Sequence, residues 1–593
     1  MNRLRKVMLM KISLPAGLTF AALLGASVLT AEAATYGRSG PPGLQADLEG
    51  ESFDLGLSVA GRFLAARHAE SVGNLVAAAD LTAEVLSEVP RSELMSRRAH
   101  LVMVGAGRFD AAATIADELI KTRPQDPLVV YTLVVRALHQ GDHAKSLALL
   151  DGIPESGVNG IIVPLLKAWS LAGEGQTADG VAALEAMAGN AGLAPVAGFH
   201  QALIADLGGD IAGAEAAFRR TLAASGDRPS LQLVDSFARF LVRNNKTEEA
   251  TKLVADFAAR NPQTLLIEPA LAVVEGRAAP DRLVADVSAG VSEVFRNVAS
   301  LLNREQLRTE ALLFVRMALD LAPDDAGAKF SLAQLLEARE REDLAIEAYE
   351  TIDSGSPYSW YARLGVADAM HAQGESDDAI RLLQAMSAER PERADAPRAL
   401  ADLLRVTERF DDAVTAYDLA AQRMDGEPDW GFLYTRGIAL ERAKRWERAE
   451  QDFLKALDAS PDQPLVLNYL GYSWVEQGVQ LERAREMIET AVEKRPRDGY
   501  ITDSLGWVLY RLGDFEPAVM HLERAVALEP GDPVINDHLG DAYWAVGRKL
   551  EARFQWMRAL SLEPDRDVEA EIRQKLDGKK VPRPLPPGKK RDL

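Results

Sequence analysis

The chain has no cysteine in its 593 residues, which excludes disulfides, thiolate metal sites and cysteine nucleophiles. Aromatic residues are scarce at 6%, although hydrophobic content reaches 47%. A core of this composition is built mainly from small and aliphatic side chains. Neither a Gly-x-x-x-x-Gly-Lys phosphate loop nor a serine elbow between glycines occurs. Gly173-Glu174-Gly175 has the look of a dinucleotide fingerprint, but it follows a helical pattern rather than a strand. His139 and His143 have helical metal-ligand spacing, but Gly141 between them signals a turn and no third ligand is evident. No catalytic residue, metal or cofactor is therefore expected.

Positive charge is also in short supply. The net charge is −21, and cations gather only at the ends. Residues 1–33 carry a net +3 and residues 578–593 a net +5, which leaves −29 on the body. Phosphate backbones require clustered cations, so nucleic acid is excluded as the main partner.

A short design occurs twice between Gly499 and Arg566. Leu505-Gly506, Gly513, Ala518, Ala525 and Pro530 return as Leu539-Gly540, Gly547, Ala552, Ala559 and Pro564, each 34 residues on. A fixed period of this length marks a stacked helical repeat. Within one copy, Ile501, Leu505, Val508, Leu509 and Leu512 form a helical stripe, and Gly513 ends it through the left-handed conformation glycine accepts. Asp514 is then expected to cap the second helix, Pro517 to sit in its first turn, and Pro530 to stop it. Gly506, Ala518 and Ala525 leave gaps that let the two helices approach closely.

This pattern of a large residue, Leu-Gly, an aromatic position held here by Leu509 and Tyr543, Gly, Ala, large, Ala and Pro resembles the tetratricopeptide repeat (TPR), a helix–turn–helix unit. The resemblance implies an all-α, right-handed α-solenoid. The frame continues upstream, clearly at 292–325, 326–359, 360–393, 394–429, 430–463 and 464–498, with one residue inserted near Val479-Gln480. It persists in degenerate form at 59–92, 93–126, 127–158, 161–194, 195–228 and 231–264, which gives about fourteen units.

The expected order along the chain is as follows. Residues 1–33 read as an export signal: Arg3, Arg5, Lys6 and Lys11 precede an apolar run, and Ala31-Glu32-Ala33 supplies a small-x-small cleavage pattern before Ala34. An uncleaved inner-membrane anchor is the alternative. A cleaved signal predicts a periplasmic protein with no membrane span. Residues 34–47 read as a flexible leader, 48–264 as degenerate N-terminal repeats, and 265–291 as an irregular helical connection dividing two subdomains. Residues 292–566 hold the C-terminal repeats, 567–577 a capping helix, and 578–593 a disordered basic, proline-rich tail.

In the repeat family the inner surface is lined by the first helix of each unit. Carried onto this chain, the resemblance assigns Tyr434, Asn468, Tyr472, Tyr500, Asp503, Trp507, Tyr510, Arg511, Asp537, Asp541 and Trp544 to a partner-binding strip. Such a strip of rings and acids suits neutral or basic protein segments. Trp474 and Trp556 fall at interior positions. The reading is a non-catalytic scaffold for proteins or peptides in the bacterial envelope. The second expectation is a polysaccharide-associated scaffold for surface-polymer export.

Overall fold

The computed structural model describes residues 58–88, 92–262 and 264–580. The expected export signal, the leader and the tail beyond 580 lie outside the described residues. Within them the chain is all-helical, with no strand. Fourteen helix pairs follow one another, from Val59–Ser71 with Leu75–Glu88 to Pro533–Ala545 with Lys549–Ser561. A single helix, Arg566–Leu576, comes last. The fold is an α-solenoid of paired helices, as the repeat pattern implies.

The pairing follows from local chemistry. Each of the fourteen turns between paired helices contains a residue at φ between +58° and +91°. Glycine fills this position at nine turns, including Gly107, Gly374 and Gly513, and it carries no steric penalty there. Asn245, Gln306, Glu340, Glu408 and Lys444 fill it at the others. The inserted residue near Val479 is absorbed by a second left-handed residue, Gln480.

Small residues then set the helix spacing. Ala112, Ala214, Ala311, Ala413, Ala518 and Ala552 sit at one repeat position and are fully buried. Gly180 takes that position in its own repeat, where a Cβ would lie 2.6 Å from the Ala168 carbonyl oxygen. A Cβ on Gly506 would lie 2.5 Å from Leu522 Cγ, and one on Gly540 would lie 2.4 Å from the Trp556 indole nitrogen. These first-helix glycines receive the large side chains of the second helices. Trp474 and Trp556 are buried, in keeping with interior positions.

One cap differs from expectation. Asp514 makes no side-chain capping bond; its carboxylate accepts from the Arg485 guanidinium at 3.2 Å. In this repeat the cap forms on the first helix: the Asp498 carboxylate accepts from the amides of Tyr500 and Ile501 at 3.1 and 3.2 Å.

The described chain forms two compact units, 58–379 and 380–580. The boundary thus falls within the Ser376–Glu389 helix and not in the irregular connection 265–291. That connection contains Leu265–Ile267 and Glu268–Val274, followed by an irregular stretch whose Pro280 carbonyl accepts from Arg243 at 2.8 Å. The next helix starts at Val287, within the stretch read as irregular. The division moves because the helices after the connection pack back onto the repeats before it.

Candidate partner-binding face

In the 58–379 unit, the first helices of several repeats share a face, and the seventh helix pair lies on it. Val287–Arg304 packs on Asn159–Gly173 and Pro127–His139, while Arg308–Leu321 packs on Glu93–Gly105 and Pro127–His139. The contact is apolar and close. Gly290 passes so near the buried Trp169 that a Cβ would lie 2.5 Å from its ring. Phe295 and Phe314 lie 6.3 and 6.2 Å from Tyr131, ring to ring. Polar bonds edge the contact: Arg316 donates to the Gly105 carbonyl at 3.1 Å, and His139 Nε2 meets the Asp320 carboxylate at 2.8 Å. His139 is thus engaged by a carboxylate within the fold. His143 packs its ring on Gly173. Among the described residues no cluster of three metal-ligating side chains occurs.

Two histidines of this unit, His100 and His200, are buried with neutral hydrogen-bond partners, and His100 Nε2 lies 2.9 Å from Thr132 Oγ1. Trp169 Nε1 donates to His200 Nδ1 at 3.0 Å, and burial pushes the His200 imidazole down to about 3. Burial likewise lowers His100 to about 4, although nearby Asp126 opposes the shift.

The 380–580 unit treats the equivalent face differently. Among its described helices, every extensive contact joins neighbours one or two along the chain. The sequence-selected strip lies on this face at unequal depths. Tyr434, Asn468, Asp503, Tyr510, Asp537 and Asp541 are buried. Tyr472, Tyr500, Trp507, Arg511 and Trp544 are half-buried. Tyr434 packs on the rings of Phe453 and Tyr469. Tyr500 packs on the cluster of Ala525, Val534 and Ile535, so this ring joins adjacent repeats.

Trp507 is the centre of the best-defined group. Its ring stacks on His538 at 4.0 Å and on Tyr510 at 5.0 Å, each inclined by 13°. Its Nε1 donates to Glu476 Oε1 at 2.9 Å, and Arg511 donates to the same oxygen at 3.0 Å. His538 Nδ1 lies 3.0 Å from both oxygens of the buried Asp503 carboxylate. Burial acts to lower the His538 imidazole, but the charge and hydrogen bond of Asp503, with Asp537 adding, together outweigh it and hold the group above its ordinary range.

The acids in the strip are paired within the fold. Lys575, on the last helix, donates to Asp537 and Asp541, with every Nζ–O distance 2.9 Å. Burial pushes the Asp541 carboxyl up despite the Lys575 ammonium, with Asp537 adding to the rise. The expected acidic lining is therefore replaced here by buried ion pairs. His538 and Lys575 are the residues sequence reasoning missed. The repeat frame itself held a signal for Lys575: it lies one period after Asp541, so Arg566–Leu576 occupies the place of a fifteenth first helix.

A family profile described as tetratricopeptide repeat matches residues 103–157, 310–360, 367–428, 398–464, 475–533 and 504–567, about half of the chain. A TPR repeat-containing protein of Pseudomonas aeruginosa is 27% identical over 197 residues, 33% of this chain and 33% of the relative. The chain spans a third or less of the length of the curated relatives it matches. Among solved structures, the Cut9–Hcn1 hetero-tetramer of the APC/C is 14% identical, with TM-score 0.38, covering 82% of this chain and 96% of that one. YrrB, a TPR protein with an unusual peptide-binding site, is 20% identical, with TM-score 0.26, covering 32% and 97%.

Proposed function

The chain belongs to the tetratricopeptide repeat family, and on that premise we propose that it is a non-catalytic scaffold of the bacterial cell envelope, holding protein or peptide partners on the first-helix face of its C-terminal repeats. TPR repeats generally serve as protein-interaction scaffolds. The observation that carries the choice of face is the contrast between the units. The 58–379 unit lays its own Val287–Leu321 pair across its first helices, whereas the 380–580 unit keeps Trp507, Arg511 and Trp544 half-buried on the equivalent side.

The chemistry favours extended segments with apolar or aromatic side chains. Rings present rigid contact area at small entropic cost. Asp503, Asp537 and Asp541 are already engaged by His538 and Lys575, so cations in the partner are not the main determinant. A photo-crosslinker in place of Trp507, in the full chain, should capture protein partners, and Trp507→Ala should weaken binding on peptide arrays. Capture of none, or retention on polysaccharide arrays alone, refutes the protein-partner reading.

The envelope assignment rests on the basic, apolar and small-x-small order of residues 1–33. Residues 1–47 fused to alkaline phosphatase should give periplasmic activity. An inactive, cytosolic fusion refutes export. If the fusion is active, its apparent mass separates a cleaved signal from a retained anchor. No helix among the described residues is long and apolar enough to cross a membrane.

A further inference from the structure

We propose that the outer face of the last full repeat docks on an anionic lipid surface. The second helix of that repeat, Lys549–Ser561, turns Ala552, Trp556 and Ala559 into the core. Its opposite side carries Leu550, Phe554 and Met557, which are 66%, 58% and 46% exposed. The spacing i, i+4, i+7 makes them one stripe.

The repeat frame supplies an internal control. The same three positions are Asp411, Thr415 and Asp418 in one upstream repeat, and Glu447, Gln451 and Leu454 in the next. They are Glu482, Glu486 and Glu489, then Glu516, Met520 and Glu523, in the two that follow. Only in the last repeat of this series are all three apolar. The exposed stripe is therefore a departure from the chain's own rule for this surface.

Charge identifies the occupant. Arg553 and Arg558 flank the stripe on either side of the helix. Residues 578–593 then add six cations against one acid, in a chain whose net charge is −21. An apolar stripe between arginines, in a chain that carries a basic segment further along its sequence, matches the two-part attraction of interfacial helices to acidic headgroups. A second copy fits less well. The stripe offers roughly 300 Å² per copy against about 800 Å² for a stable interface, and the flanking arginines would face one another.

The test uses the full chain and two sets of vesicles, phosphatidylcholine alone and phosphatidylcholine with phosphatidylglycerol. Co-sedimentation should require phosphatidylglycerol and fall with salt. Replacing Leu550, Phe554 and Met557 by Glu recreates the Glu482, Glu486 and Glu489 pattern. It should leave melting unchanged and weaken vesicle binding by at least about tenfold. Phe554→Gln provides a milder variant and should weaken binding in the same direction. Three results would overturn the proposal: no vesicle binding by the wild type, equal binding by the variants, or a dimer that Phe554→Gln dissociates. None of these depends on the inner-face reading, because Trp507 crosslinking is scored separately.

Discussion

In the 58–379 unit the first-helix face is covered by Val287–Arg304 and Arg308–Leu321, with Trp169 and Tyr131 buried beneath them. In the 380–580 unit the equivalent face carries the Trp507, His538 and Tyr510 stack, and the last helix reaches it through Lys575. Both units share one turn geometry and one set of small-residue contacts. The repeat frame thus fixes how helices pair, while the side chains on the first helices decide whether that face is covered by the chain's own helices or left half-buried. Aromatic helices with close-approach glycines, as at Gly290, turn that face into core.

Substitutions can break that contrast. The largest effect is expected from Trp169→Ala, which empties a fully buried site between Gly290 and His200 and should cost about 3–5 kcal/mol. Hydrogen exchange should accelerate in Val287–Arg304 and not in the 380–580 unit. Ala525→Asp, which sets a carboxylate against Val534 and Ile535, should cost about 3 kcal/mol in the C-terminal unit. Unchanged melting would contradict the packing described for Ala525.

Opposite pH responses sharpen the comparison. His200 is depressed to about 3 from 6.5, so its contribution is complete above pH 6.5 and is lost as pH falls below it. His538 is raised from 6.5, so its contribution is complete below pH 6.5 and is lost as pH rises through the folded value. Amides of Ala194–Leu207 should therefore lose protection on acidification, and those of Pro533–Ala545 on alkalinisation. Asp503→Asn should remove the second response. The smallest effect is expected at a turn. Glu340→Gly relieves an exposed left-handed residue at φ +58° and should stabilise by about 0.5–1 kcal/mol, with the melting temperature as readout.

The sequence made the helix pairs legible because glycine, alanine and proline recur at positions set by backbone and contact geometry. Turns with Glu340 or Lys444 were found through the period alone, as their side chains carry no turn signal. The covering of the N-terminal face was not legible. It joins Gly290 to Trp169 and Phe314 to Tyr131, pairs far apart in the chain that no periodicity links. Positions on the C-terminal inner face were read from the frame, but their depth was not. Whether Asp541 meets solvent or Lys575 depends on a helix with no partner helix of its own, and whether Asp514 caps depends on where Arg485 reaches.

The most direct measurement places a benzoylphenyl crosslinker at position 131 in one full-length protein and at position 507 in another, in cells that express the chain. The account predicts intramolecular adducts to the 287–321 segment from position 131 and adducts to other proteins from position 507. Partner adducts from position 131, with none from position 507, would contradict it.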